Sequence, residues 1–137
     1  MPKSILVGYD GSDTARRAYR FAVDLAACSG AGVHVLRVEQ LDNGADVSAL
    51  LMMDNLAERR AGLEREVEAL GAPAGVVVDV DLVQGSPGDA LLSYVARHGV
   101  DHIVIGHSER GALARWLVGS TSIDLLARAH VPVTVVR

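Results

Sequence analysis

The sequence predicts an α/β fold, an open five-stranded parallel sheet with helices on both faces. Three observations predict it. Compact runs rich in β-branched residues alternate five times with longer segments of helical periodicity. Helical segments open on capping residues such as Ser12 and Ser86 and stop at Gly30, Gly71 and Gly99. Strand–helix alternation of this kind buries a parallel sheet under helices on both sides.

Each element has its own local reason. Lys3–Tyr9, KSILVGY, is an apolar run that ends at once in the turn sequence DGS. Ser12 can accept a bond from a backbone N–H two or three residues on and so start a helix. In that helix Ala15, Ala18, Tyr19, Ala22, Leu25 and Ala26 recur at helical spacing. Cys28, near its end, is expected to be buried packing. Gly32–Val38 is the second strand, and residues 40–48 are polar and turn-rich, the longest predicted loop. A long helix over about 48–70 puts Leu56, Leu63, Val67 and Leu70 on one face. Its acids and arginines form a laced charged surface opposite. Val76–Val83 is the third strand, where alternating Asp79 and Asp81 suit an edge with one wetter face. Ser86-Pro87-Gly88-Asp89 supplies a cap, a proline at the first helical position and an acid in the first turn. That helix runs through Leu91, Leu92 and Val95. Strand four is Asp101–Ile105, a helix spans about 119–129, and Val131–Val136 is strand five.

Periodicity does not order the strands, and the right-handed crossover rule leaves few topologies. The expectation is a Rossmann-like order 3-2-1-4-5, which reverses between strands one and four. A ligand crevice then opens at their carboxyl ends, flanked by DGS at 10–12 and GHSERG at 106–111.

At 137 residues the chain is read as a single domain, 1–137, with a full hydrophobic core. A net charge of −4 and a pI near 5.6, with arginines scattered beside acids, argue against nucleic acid as a partner. No run approaches a membrane span, and the opening MPKSILVGYDGS lacks the apolar core of a signal peptide. With one cysteine and no internal disulfide, the expected compartment is the reducing cytoplasm. The histidines at 34, 98, 102, 107 and 130 show no metal-ligand spacing, so no metal site is expected.

The stretch with chemical content is GHSERGALARWLVGST, residues 106–121. Unpaired backbone N–H groups at a helix N-terminus carry the positive end of the macrodipole and bind anions. Glycines let phosphate oxygens come close to the main chain. Gly106 leaves strand four, and Gly119-Ser120-Thr121 opens the next helix. Leu113, Trp116 and Leu117 between them share a face, which predicts a short helical turn. On spacing alone a phosphate cradle and plain helix punctuation are equally good readings.

Over nearly its whole length the chain resembles the universal stress protein family. The resemblance rests on ILVGYDGS before a helix, QGSP before the third helix, VPVTVVR at the close, and above all DHIVIGHSERGALARWLVGST. Nucleotide-binding members carry a glycine, two residues, a second glycine, nine residues, then a third glycine with Ser or Thr after it. Here the outer glycines are Gly106 and Gly119, thirteen apart as in the family, and Ser120 is the hydroxyl. The second glycine is replaced by Glu109, while Gly111 matches a glycine that is only frequent in the family. A carboxylate beside a triphosphate costs on the order of 1 kcal/mol in water, with Arg110 as a compensating charge.

The resemblance implies an adenine nucleotide, ATP or AMP, with Mg²⁺ accompanying only ATP. Asp10, with Gly8 beside it, corresponds to the acid that contacts adenine or ribose. An Asx-turn cap is the alternative for Asp10. Val38 corresponds to an adenine contact or, read plainly, to core. Ile105 and Gly106 would wall the ribose, and Ser120 and Thr121 would donate to phosphate. His107 is read as a loop histidine rather than a phosphate ligand, and Trp116 as packing. The family's homodimers pair final strands, which implies Val131, Val133 and Val135 as interface and the chain itself as partner. VPVTVV is a short apolar edge with no charge to blunt it.

Two readings therefore stand: a nucleotide-binding stress-response module, and the same fold and dimer without ligand because of Glu109. An enzyme is not expected. No Gly-Lys-Ser/Thr follows strand one, Lys3 is the only lysine, and strand three ends in Val83-Gln84 rather than a phosphoryl-accepting aspartate. Gly8-Tyr9-Asp10-Gly11 also misses the dinucleotide glycine spacing. Slow ATP hydrolysis stays open, with no catalytic base to name.

Overall fold

The computed structural model describes residues 1–39, 46–107 and 125–137, and within 46–54 the backbone alone. The elements are β1 (Ser4–Gly8), α1 (Asp13–Ser29), β2 (Gly32–Glu39), α2 (Asp46–Leu70), β3 (Val78–Gln84), α3 (Pro87–His98), β4 (His102–Gly106) and β5 (Val133–Val136). All four neighbouring pairs are parallel, in the order β3-β2-β1-β4-β5. The expected fold class and order are therefore observed, and the order reverses between β1 and β4.

Strand β1 is the central strand. Gly8 lies in register with Leu36 on one side and Ile105 on the other. Ile5, Leu6 and Val7 are wholly buried, as a strand covered on both faces requires. Its start is tied to β4 by the Asp101 carboxylate, which accepts from the backbone N–H groups of Lys3 (2.8 Å) and Ser4 (3.2 Å).

Helix α1 starts where the sequence places its cap: Ser12 Oγ accepts from the N–H of Ala15 at 3.2 Å. It stops at Gly30, whose φ of +77° is left-handed and whose N–H bonds to Ala26 O. The buried stripe is Ala15, Ala18, Tyr19, Ala22, Val23 and Ala26. Cys28 is exposed, not packed. It lies two residues past Ala26, about 200° round the helix from the buried face.

Helix α2 begins at Asp46, inside the segment expected to be loop. Polar, turn-favouring residues in its first turn hide the start, as first turns commonly do. Leu63 and Val67 bury its inner face, and the Tyr19 hydroxyl donates to Gly71 O at 3.0 Å, linking α1 to the end of α2. At α3 the expected serine cap is not made: Ser86 has no side-chain cap bond, although its carbonyl accepts from the N–H of Ala90. Of the helix expected over about 119–129, residues 125–128 are helical, and the rest lies outside the described residues. The helical turn expected around Leu113–Leu117 lies outside them as well.

The two sheet edges differ. On β3, alternation turns the backbone groups of residues 80 and 82 away from β2. There the Arg60 guanidinium donates to Val80 O (3.3 Å), and Asp81 Oδ1 accepts from the N–H of Leu82 (2.9 Å). The Val80 carbonyl and the Leu82 N–H are thus covered, which partly blunts the edge against further pairing. On β5, the carbonyls of Pro132 and Val136 face β4, accepting from Ile103 and His107. The backbone groups of Val133 and Val135 therefore point away from the sheet. Val131 precedes the strand.

Three tyrosines place hydroxyls in or beside the core, and burial raises the pKa of each. An acid whose folded pKa is raised stabilises the fold fully below its unfolded pKa, and that stability is lost as pH climbs through it. Stability is expected to hold to about pH 10, the ordinary tyrosine value, and then to fall. Circular dichroism melts between pH 8 and 12 check this, and a flat profile would refute it.

Candidate functional site

The switch point brings together the carboxyl ends of β1, β2 and β4. Gly8 and Ile105 are adjacent in register and buried, Gly106 follows Ile105, and Asp10 leaves β1 at the same level. Val38 sits at the end of β2, paired with Val83 and partly buried against the core. Five of the expected residues, Gly8, Asp10, Val38, Ile105 and Gly106, thus lie at one end of the sheet. Glu109, Arg110, Gly119, Ser120 and Thr121 lie outside the described residues, as do Gly111 and Trp116.

The first turn is tightly made. Asp10 Oδ1 accepts from the N–H of Ser12 at 2.9 Å, so its side chain does form the Asx turn. Gly11 takes a φ of +85°, and its carbonyl accepts from Arg16 at 2.9 Å. Arg16 in turn pairs with Asp13, and that hydrogen bond raises its already high pKa. One oxygen of Asp10 is engaged with the turn while the residue stays only partly buried at the mouth of the crevice.

Gly106 has a packing reason that sequence spacing does not reveal. A Cβ built there meets the carbonyl carbon and oxygen of Thr14 at 2.6 Å and the nitrogen of Ala15 at 2.9 Å. The start of α1 therefore rests directly on the end of β4, and the residue at 106 must be glycine whether or not a ligand is bound. Next to it, the N–H of His107 donates to Val136 O, carrying the β4–β5 ladder one residue past the strand.

Two residues missed in the sequence reading stand beside this turn. Tyr9 is wholly buried, and its hydroxyl donates to Glu66 Oε1 at 2.8 Å across 57 residues of chain. Burial first, and then the carboxylate of Glu66, push the phenol well above its ordinary pKa, so Tyr9 remains a neutral donor. The position of Glu66 between the apolar Leu63 and Val67 was the available signal, because it falls at the margin of the buried stripe.

A cavity of about 680 Å³ lies away from this end, along the β3 edge beside His34, Asp79, Tyr94 and His98. Tyr94 and His98 stack there with centroids 4.0 Å apart, and the Tyr94 hydroxyl lies 3.3 Å from His34 Nδ1. Among the described residues no His, Cys, Asp or Glu cluster is arranged to hold a metal ion. Nor is any described helix long and apolar enough to cross a membrane.

A doubly wound parallel sheet whose first strand ends in an acid-bearing turn, beside a glycine at the end of the fourth, defines a class of small α/β proteins in which the switch point is the usual place for a ligand. Comparison with known proteins narrows this. The universal stress protein family profile matches residues 1–137. A universal stress protein of Thermus aquaticus is 33% identical over 139 residues, covering 100% of both chains. The chain belongs to the universal stress protein family. A universal stress protein in complex with cAMP has a TM-score of 0.70 at 23% identity, covering 99% of this chain and 97% of its own. The Archaeoglobus fulgidus universal stress protein in complex with dAMP has a TM-score of 0.61 at 25% identity, covering 98% of each.

The contact at Gly106 makes a stability prediction separate from binding. Gly106→Ala is expected to cost about 1–3 kcal/mol, since backbone rather than a mobile side chain must give way. Thermal or urea unfolding measures it. An unchanged midpoint would show that the α1 start moves freely.

Proposed function

We propose that this protein is a cytoplasmic stress-response module that binds an adenine nucleotide at the β1/β4 crevice and acts through a homodimer. The convergence of Asp10, Gly8, Ile105 and Gly106 at the switch point carries the reading. The ligands of the two related structures support it: cAMP and dAMP share adenine and a phosphate and differ at the sugar and its phosphate linkage. Asp10 and Val38 are then the adenosine contacts, Ile105 and Gly106 the ribose wall, and Gly119, Ser120 and Thr121 the phosphate donors. Mg²⁺ is needed only with ATP, for which Arg110 adds charge. The role is binding, not catalysis. In the reducing cytoplasm Cys28 stays a free thiol.

Glu109 favours a second reading, the same fold and dimer with an empty crevice. Mass spectrometry of gently denatured, freshly purified protein decides between them, together with calorimetric titration with ATP and Mg²⁺. Co-purified ATP, ADP or AMP is expected. An empty protein that also gives no heat would sink the binding reading. If the Glu109 carboxylate opposes phosphate by the ~1 kcal/mol it costs in water, Glu109→Gly tightens ATP binding about fivefold. Unchanged affinity would mean that the carboxylate points away.

The dimer reading rests on the β5 edge, where the backbone groups of Val133 and Val135 point away from β4, with Val131, Val133 and Val135 as its contacts and Val135 41% exposed. Val135→Pro removes an N–H that faces away from β4, so the protomer keeps its ladder and the partner loses a donor. Size exclusion with light scattering is expected to show a wild-type dimer and a monomeric variant at micromolar concentration. A monomeric wild type would refute the proposed assembly.

A further inference from the structure

The turn that carries Asp10 is held from four directions. From β2, Leu36 O accepts from the N–H of Tyr9 at 2.9 Å. From α1, Ser12 caps the helix and Arg16 holds Gly11 O. From β4, Gly106 presses on the backbone of Thr14 and Ala15. From α2, the hold is the hydrogen bond between Tyr9 and Glu66. The holds from β2 and β4 are backbone contacts and those from α1 are local in the chain, whereas this last hold is a side-chain bond to an element 57 residues away. It is also the point at which a displacement of α2 would reach the crevice.

The surroundings of Glu66 show that its place is specific. Its Oε1 lies 3.6 Å from where a Cβ on Gly11 would stand, and Arg37 Nη1 lies 3.9 Å from the same point. The carboxylate therefore borders the open side of Gly11, with the guanidinium of Arg37 near the same point. A charged acceptor gives a stronger hydrogen bond than a neutral one, and partial burial keeps water from replacing it. The φ of +85° at Gly11 excludes most side chains, and a Cβ there would stand in ordinary contact with the carboxylate.

We infer that Tyr9 and Glu66 are positioning residues for the nucleotide crevice: their hydrogen bond fixes the turn bearing Asp10 and couples the placement of α2 to ligand affinity. Neither residue touches the ligand. The effect runs through the main chain from Tyr9 to Asp10, one residue on, and through the open side of Gly11. The inference rests on the adenine-nucleotide reading above. It goes beyond that reading by placing a determinant of affinity on α2, outside the crevice.

Calorimetric titration with ATP and Mg²⁺, paired with thermal unfolding and amide hydrogen exchange, tests it on the full chain. Tyr9→Phe keeps the ring and removes the donor, and is expected to weaken ATP binding about fivefold to tenfold. Glu66→Ala should weaken it similarly. Glu66→Gln retains an oxygen acceptor and should stay within about twofold of wild type. The double variant Tyr9→Phe with Glu66→Ala should be no worse than either single one, because both remove the same bond. If Tyr9→Phe only lowers the unfolding midpoint while ATP affinity is unchanged, the bond is merely structural and the inference is overturned. Should wild type bind neither ATP nor AMP and purify empty, the nucleotide reading fails instead, and exchange decides the positioning role. The Ser12 amide, bonded to Asp10 Oδ1, is expected to exchange faster in Tyr9→Phe. Unchanged exchange there would overturn the inference independently of any ligand.

Discussion

The absence of a side chain at Gly106 is the constraint on which the functional end of the sheet depends. Because nothing projects there, the first turn of α1 lies against the end of β4, with the backbone of Thr14 and Ala15 where a Cβ would otherwise stand. That contact fixes the helix start relative to two strands at once, since β4 pairs with β1 and β1 feeds α1 through the DGS turn. The caps at Ser12 and Asp10 then have defined partners, and the turn hangs from a scaffold whose central strand is wholly buried. Loss of this contact would separate β4 from α1 where a ligand site needs them together.

One consequence is that a glycine motif here carries two loads. The first glycine of a phosphate loop is usually explained by close approach of the ligand. At Gly106 the close approach is made by the protein's own helix. The same residue would therefore be demanded in a relative that had lost its ligand, so its presence alone says little about nucleotide. Nucleotide binding has to be read from residues other than Gly106, and among the described ones Asp10, at the crevice mouth, already has one carboxylate oxygen engaged in its own turn.

A second consequence concerns the edges. On the outer edge of β3, Arg60 donates to the Val80 carbonyl and Asp81 accepts from the N–H of Leu82. The outward groups of β5 carry apolar side chains and no charge. A β3 edge whose outward Val80 carbonyl and Leu82 N–H are already engaged has less to offer a further strand than the apolar β5 edge.

By itself, the sequence determined the alternation of strands and helices, the Ser12 cap, the glycine stops, and the spacing of Gly106 and Gly119. These are local: a cap needs only a residue type at one position, and periodicity within a window says which face is buried. Cys28 was expected to be buried and is exposed, although its helical phase, two residues past Ala26, already put it off the buried stripe. The start of α2 was hidden because turn-favouring residues also serve as first-turn residues. The strand order, the reason for Gly106, and the hydrogen bond from Tyr9 to Glu66 were decided only by the tertiary structure. Each depends on partners far apart in the chain, 57 residues for Tyr9 and Glu66. Nothing in a local pattern tells a charged residue at the margin of a buried stripe from one that faces water. That distinction appears only in the folded chain, where Glu66 on α2 accepts from the buried phenol of Tyr9.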